Sequence, residues 1–496
     1  MNMMKNIQRL ALAVAFGFLG LAAHAQSVDA TFIAGQDTVY PGTDPQLGSW
    51  DRVRAIALQP DGRVVVGGSF TYIGMIEMDG LARLASDGTI DTGFTPPPLR
   101  AETIAVLPDG KLLVAGRFAT VGGAPRPGIA RLNANGTLDT SFAPGDWSNG
   151  GRTPNVAAFA VQADGRIVVA GNAYDATDMS VISLLRLNAD GSVDTTFARP
   201  TIETYYGGIS ALALDANGKV LIGGRFSAIN GQSRENVARL DADGAVDAAF
   251  NPGADGDVMA LVPVAGGRIV AAGHFTTMAG SATGQVVRLD ADGALDTTFD
   301  AGGFDAGVLS VAPAVDGSMI IAGTFMLAGG EPRNYVARLA QNGALDASYA
   351  LDVDYWAMSL AREASGKLFV AGGFLTAGGL ARNHIARFNA HGDATGTLAA
   401  PGDVRWTFGG DAPQLARATL ETSDDGTTWS APVAGLPLAQ GWSFAVSLPA
   451  DRDVWVRARG VASGSFSNAT WSLVEQKQAL RASDVIFAHG FEAATR

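Results

Sequence analysis

No cysteine occurs among the 496 residues, which removes disulfide frameworks and cysteine-based metal sites. Charge is also scarce. Only 17% of residues are charged, and they leave a formal net charge of −13. A nucleic-acid surface needs clustered lysine and arginine against phosphate, so that class of partner is excluded. The five histidines include no pair at ligand spacing on one strand or helix, and neither a metal nor a cofactor is expected. Neither a Gly-x-Ser-x-Gly elbow nor a phosphate loop is present. Long apolar runs are missing as well: the longest, Leu10 to Leu21, has twelve residues, against about 20 for a spanning helix.

That short run has the makings of an export signal. Lys5 and Arg9 precede it, and Ala23-His24-Ala25 forms a small-x-small cleavage site. Residues 1–25 are therefore expected to be a signal peptide, and the mature chain to be exported to the periplasm, cell surface or medium without a transmembrane segment.

Glycine is what the chain has in quantity, 63 residues, and it recurs in register. The segment Leu58-Gln59-Pro60-Asp61-Gly62-Arg63-Val64-Val65-Val66-Gly67-Gly68-Ser69-Phe70 returns, degraded but legible, six more times, followed each time by Ala-Arg-Leu or a close variant and, in all but the last copy, by a polar turn and Leu-Asp-x-x-Phe or a close variant. The repeat arginines lie 48 to 55 residues apart, a period that marks blades of a propeller. Each unit reads as four strands, A to D, with Pro-Asp-Gly and Ser-Asp-Gly turns closing the A–B and C–D hairpins. The C–D register sets each arginine opposite an aspartate: Arg83 with Asp91, Arg131 with Asp139, Arg186 with Asp194, Arg239 with Asp247, Arg288 with Asp296 and Arg338 with Asp346. The seventh unit has Arg387 but no D strand of its own. Ser27-Val28-Asp29-Ala30-Thr31-Phe32 copies the missing strand and supplies Asp29. The expectation is an all-β chain: a seven-bladed β-propeller over residues 26–396 closed by an N-terminal strand, a ring that leaves no open edge.

At these motifs, Leu58 to Phe70 and Ala130-Arg131-Leu132 through Phe142, the chain resembles the delta-60 repeat, a propeller-type repeat of exported bacterial proteins. The resemblance covers roughly residues 27 to 396 and implies no catalytic residues.

From residue 397 the composition shifts. Trp406, Trp429, Trp442, Trp455 and Trp471 hold five of the eight tryptophans, and short alternating strands predict a small β-sandwich of immunoglobulin or fibronectin shape over 397–476. Residues 477–496 form a tail with a sorting or anchoring motif as one reading and a frayed end as the other.

Function is expected on the face that carries the B–C and D–A loops, where copies differ and recognition residues gather on a rigid scaffold. The candidates are the aromatics Trp147, Tyr205, Tyr206, Tyr355 and Trp356 and the arginines Arg126, Arg234, Arg333 and Arg382. They point to a non-catalytic, monomeric binding protein with a glycan or protein partner. The alternative is a secreted polysaccharide hydrolase or lyase using loop carboxylates such as Asp146, Asp305 or Asp354.

Overall fold

A computed structural model describes residues 24–34, 52–73, 76–145, 155–174, 181–204, 208–400, 402–464 and 470–481. The expected signal peptide, except for its last two residues, and most of the tail lie outside these.

The described chain is built from strands, with a single 3-10 turn at Ala265–Gly267. Each blade is a three-stranded antiparallel sheet. In blade 1, strand A is Val53–Leu58, B is Val64–Gly68 and C is Leu81–Leu84. The turns follow from local chemistry. Gly62 takes φ 81° and Gly88 φ 89°, the left-handed region where a side chain is strained. Strand A bulges between Val53 and Ala55, and there Gly68 packs against the Arg52 carbonyl with no room for a Cβ.

The fourth strand differs from the expectation. It is a single bridge, Leu84 to Ile90 in blade 1, because the aspartate that follows turns the chain. Asp91 Oδ1 accepts from Gly93 N at 2.9 Å and Phe94 N donates to Asp91 O. That turn ends extended pairing and drives the phenylalanine into the core, where Phe94, Phe142 and Phe250 are fully buried.

Blade packs on blade around the ring. Phe32, Phe369 and Ile385 share one core with Val53, Ile56 and Phe70 of blade 1, so blade 7 meets blade 1. Residues 26–34 lie at that seam. Asp29 N donates to Arg387 O, Asn389 N to Ser27 O and Ile33 N to Asp87 O, while Phe32 meets Phe369 edge-on at 5.1 Å.

Beyond the ring are two further sheets. One runs in the order Ala394–Ala399, Val404–Gly410, Gly441–Phe444, Leu436–Leu438; the other contains Arg417–Ser423, Val454–Gly464 and Thr470–Leu480. Leu398, Val404 and Trp406 from the first share a core with Leu420, Val456 and Leu480 from the second. These strands cross both limits expected from sequence, 397 and 476.

This C-terminal unit sits against the turn face of the ring. Ser472 Oγ accepts from Leu58 N at 3.0 Å, Arg417 Nη1 donates to Val161 O at 3.0 Å, and Gln414 N donates to Pro313 O. Trp471 pairs in parallel with Ala105. All four partners in the ring lie at or next to the ends of A strands, so the unit lies against the turn side of the ring. The B–C and D–A loops are on the other side.

Candidate functional site

The loop face is ordered by backbone pairing. In each of blades 1, 2, 4, 5, 6 and 7 the B–C connection is a small hairpin, such as Leu327–Ala328 with Glu331–Pro332. The incoming D–A connection pairs with it: Ala254 with Met278, Phe304 with Ala328, Val353 with Ala377. One aspartate fastens each such pair. Asp255 Oδ1 accepts from Thr276 N and Thr277 N, Asp305 Oδ1 from Met326 N and Leu327 N, and Asp354 Oδ1 from Leu375 N and Thr376 N, all at 2.7–3.0 Å. A carboxylate receiving two backbone donors holds the hairpin rigidly. Asp305 and Asp354 are thus occupied as acceptors, which is where the hydrolase reading needed an acid or base. Asp146 lies outside the described residues. Every carboxyl shift resolved among the described residues is downward, the opposite of what a general acid needs.

Tyr355 and Trp356 stand at the start of blade 7. Their rings stack at 4.9 Å and 16°, Tyr335 approaches Tyr355 at 6.2 Å, and the Arg52 guanidinium lies 5.6 Å from the Trp356 ring centre. The cluster therefore runs from blade 6 across blade 7 to blade 1, and Tyr355 is exposed. Trp147, Tyr205 and Tyr206 lie outside the described residues.

The four loop arginines do not form a basic platform. Arg126, Arg234 and Arg382 are buried and Arg333 is half-buried. Each Nη1 turns back onto the preceding carbonyl, of Pro125, Ser233, Pro332 and Ala381, at 2.7–2.8 Å. Burial lowers the pKa of Arg126 and Arg382. Their role in the structure is to brace the hairpin from within, because a guanidinium so placed can serve carbonyls that strand pairing leaves over.

The repeat arginines occupy the seams between blades. The Nε of Arg83, Arg131, Arg186, Arg239 and Arg288 donates to the aspartate eight residues on, and that of Arg387 to Asp29, at 2.7–2.8 Å. The Nη1 of each reaches the next blade, to the carbonyl of Ala134, Ala189, Ala242, Ala291, Gln341 and Ser86 in turn, at 2.5–2.8 Å. The guanidinium also covers the phenylalanine of the motif, 4.5–5.0 Å from its centre. A second cation was missed by sequence reasoning, although its signal is plain: the residue after six of the seven A–B glycines, Ser318 being the exception. Arg63, Lys111, Arg166, Lys219, Arg268 and Lys367 each lie 2.7–3.7 Å from the same aspartate. Burial alone would raise the Asp247 carboxyl, but donors from Lys219, Arg239 and Ala249 N bring it down to about 2.

Arg338 departs from the rule. Its Nη1 takes Asp346 at 2.7 Å, and Nη2 turns to Asp411 of the C-terminal unit at 3.1 Å. Asp411 also receives Gly392 N at 2.7 Å and faces the buried Arg362 at 3.5 Å. The Ala390 carbonyl, which Arg338 would meet by analogy, accepts from Gln26 Nε2 instead.

Seven blades of this kind, with a rigid loop face on one side and a covered turn face on the other, define a β-propeller. Seven stretches, residues 59–94, 107–142, 162–197, 216–250, 267–299, 316–349 and 363–394, match the repeat model of the family described as "Domain of unknown function (DUF5122) beta-propeller". No curated protein matches the chain. Among solved structures it is similar to the extracellular domain of a putative hybrid two-component system from B. thetaiotaomicron, at 10% identity and a TM-score of 0.42 over 88% of this chain; the match covers 56% of that domain. It is also similar to YCF48 bound to D1 peptide, at 9% identity and 0.28 over 70% of this chain and 98% of the other. A putative exported protein from Bacteroides fragilis matches at 12% and 0.27, over 58% and 88%. All three are distant likenesses.

Proposed function

We propose that the chain is an exported, non-catalytic and monomeric binding protein. Residues 1–25 direct export, residues 27–32 close the ring at the outer edge of blade 7, and the strands from Ala394–Ala399 to Thr470–Leu480 form a sandwich that seats on the turn face. The loop face takes the ligand, a glycan or a protein. The observation that carries this reading is the stacked Tyr355–Trp356 pair on the side of the ring that the C-terminal unit leaves uncovered. A stacked, partly exposed aromatic pair on a rigid support loses little side-chain entropy on binding and offers a large contact area.

The test is a glycan array and a panel of cell-surface proteins probed with the full chain and with the Tyr355→Ala/Trp356→Ala variant. Loss of binding at an unchanged melting temperature is expected. Binding that survives this change, and is lost instead on Leu436→Ser/Leu438→Ser, would move the site to the C-terminal unit.

A further inference from the structure

The B–C hairpins share one fold but not one surface. At the two positions after the blade phenylalanine, blades 2, 4 and 5 carry Ala119-Thr120, Ser227-Ala228 and Thr276-Thr277, whereas blade 6 has Met326-Leu327 and blade 7 begins with Leu375. Blade 1 has Tyr72 at the second of these positions, and on the returning strands Ile76 and Leu380 replace the small or polar residues found in blades 2, 4 and 5. Met326 and Leu375 are 53% and 54% exposed, and Tyr72, Ile76, Leu327 and Leu380 are exposed as well. Together with Tyr355 they account for every large exposed apolar side chain described in the ring except Ile33. Blades 6, 7 and 1 are consecutive, and the chain of ring contacts from Tyr335 to Arg52 joins them.

The fully exposed charges on these loops are acidic. Glu77, Asp305, Glu331, Asp352 and Asp354 are exposed, while the cations of the same loops, Arg52, Arg333 and Arg382, are half-buried or buried. Exposed apolar side chains gathered on the loops of three consecutive blades mark an interaction site, and the charges beside them select the partner's charge. Aliphatic side chains suit protein better than sugar, whose recognition leans on flat aromatic stacking. A second copy would set carboxylates against carboxylates.

We infer that the loop face over blades 6, 7 and 1 docks a basic polypeptide segment rich in apolar side chains. This rests on the loop-face reading above and narrows its partner to a cationic protein. Asp305 and Asp354 pin the backbone under Met326, Leu327 and Leu375, so the surface is presented without ordering cost on this side.

Fluorescence anisotropy of a labelled peptide of alternating lysine and leucine, titrated with the full chain, reads the site. The expected result is binding that a lysine–serine and a glutamate–leucine peptide match only about tenfold more weakly or worse. Met326→Ser/Leu375→Ser should weaken the lysine–leucine peptide about tenfold at an unchanged melting temperature, and Glu331→Gln/Asp352→Asn should flatten its salt dependence. An affinity indifferent to both variants, or equal binding of the glutamate–leucine peptide, overturns the inference. So does a dimer of the full chain that Met326→Ser/Leu375→Ser dissociates. If polygalacturonate binds instead and Tyr355→Ala/Trp356→Ala abolishes it, the cationic partner fails while the loop-face reading stands; if nothing bound depends on that face, both fail.

Discussion

Six of the blade-to-blade seams use one arginine in one way, and the seam between blades 6 and 7 does not. At a regular seam the guanidinium holds its own blade's aspartate, the next blade's turn carbonyl and a phenylalanine face, as Arg239 does with Asp247, Ala291 and Phe250. At the odd seam Arg338 is drawn to Asp411, and the carbonyl it would have used is taken by Gln26. The chain leaves blade 7 there for the C-terminal unit and also receives the N-terminal segment there. A repeated contact can be replaced where both chain ends meet, provided that every buried charge still finds a partner.

The comparison can be broken most severely at the seam between blades 7 and 1. Removing residues 26–35 takes away Asp29 and leaves Arg387, which is 6% exposed, with only Glu363 at 3.5 Å among acidic groups. Aggregation or a fall in melting temperature of more than about 10 °C is expected; a chain beginning at residue 36 that melts like the full chain would show the ring needs no such strand.

The odd seam comes next. Asp411 is 2% exposed and faces two arginines, so Asp411→Ala should cost about 4 kcal/mol in urea unfolding. At a regular seam Arg239→Met should cost less, about 3 kcal/mol, because Lys219 remains 2.8 Å from Asp247. Arg239→Met/Asp247→Leu should recover much of that loss. Equal costs at the two seams would erase the distinction drawn between them.

Acid provides a smaller and shared perturbation. Asp194, Asp247 and Asp296 are held down to about 2, below the ordinary carboxylate value. A depressed folded-state pKa contributes stability that is complete above the ordinary value and is lost as pH falls through the folded one. Melting temperature should therefore hold down to about pH 4 and fall toward pH 2. Asp247→Asn should flatten that fall while lowering the plateau. Smallest of all, Met326→Ser on the loop face should change stability by under about 0.5 kcal/mol, since that side chain is exposed.

Much of this was legible in the chain. Gly62 and Gly88 announce left-handed turns, and a three-residue loop fixes Arg83 opposite Asp91 by counting. The copy of the D strand at Val28-Asp29-Ala30-Thr31-Phe32 pointed to the seam where residues 26–34 lie. Other features were not legible. Arg126, Arg234 and Arg382 look like surface cations in sequence, and only the fold shows them bracing hairpins from inside. Asp305 and Asp354 look like available carboxylates until the hairpin N–H groups 21 and 22 residues later are placed over them.

The sequence by itself determined the blade, because alternation, turn glycines and the Arg–Asp spacing act within about 50 residues, where local geometry leaves few alternatives. Only the tertiary structure decided which side of the ring is covered and which loops stay bare. Asp411 and Ser472 carry no local signature; they meet Arg338 and Leu58, 73 and 414 residues away, because buried charges and strand ends take the partners that packing brings to them.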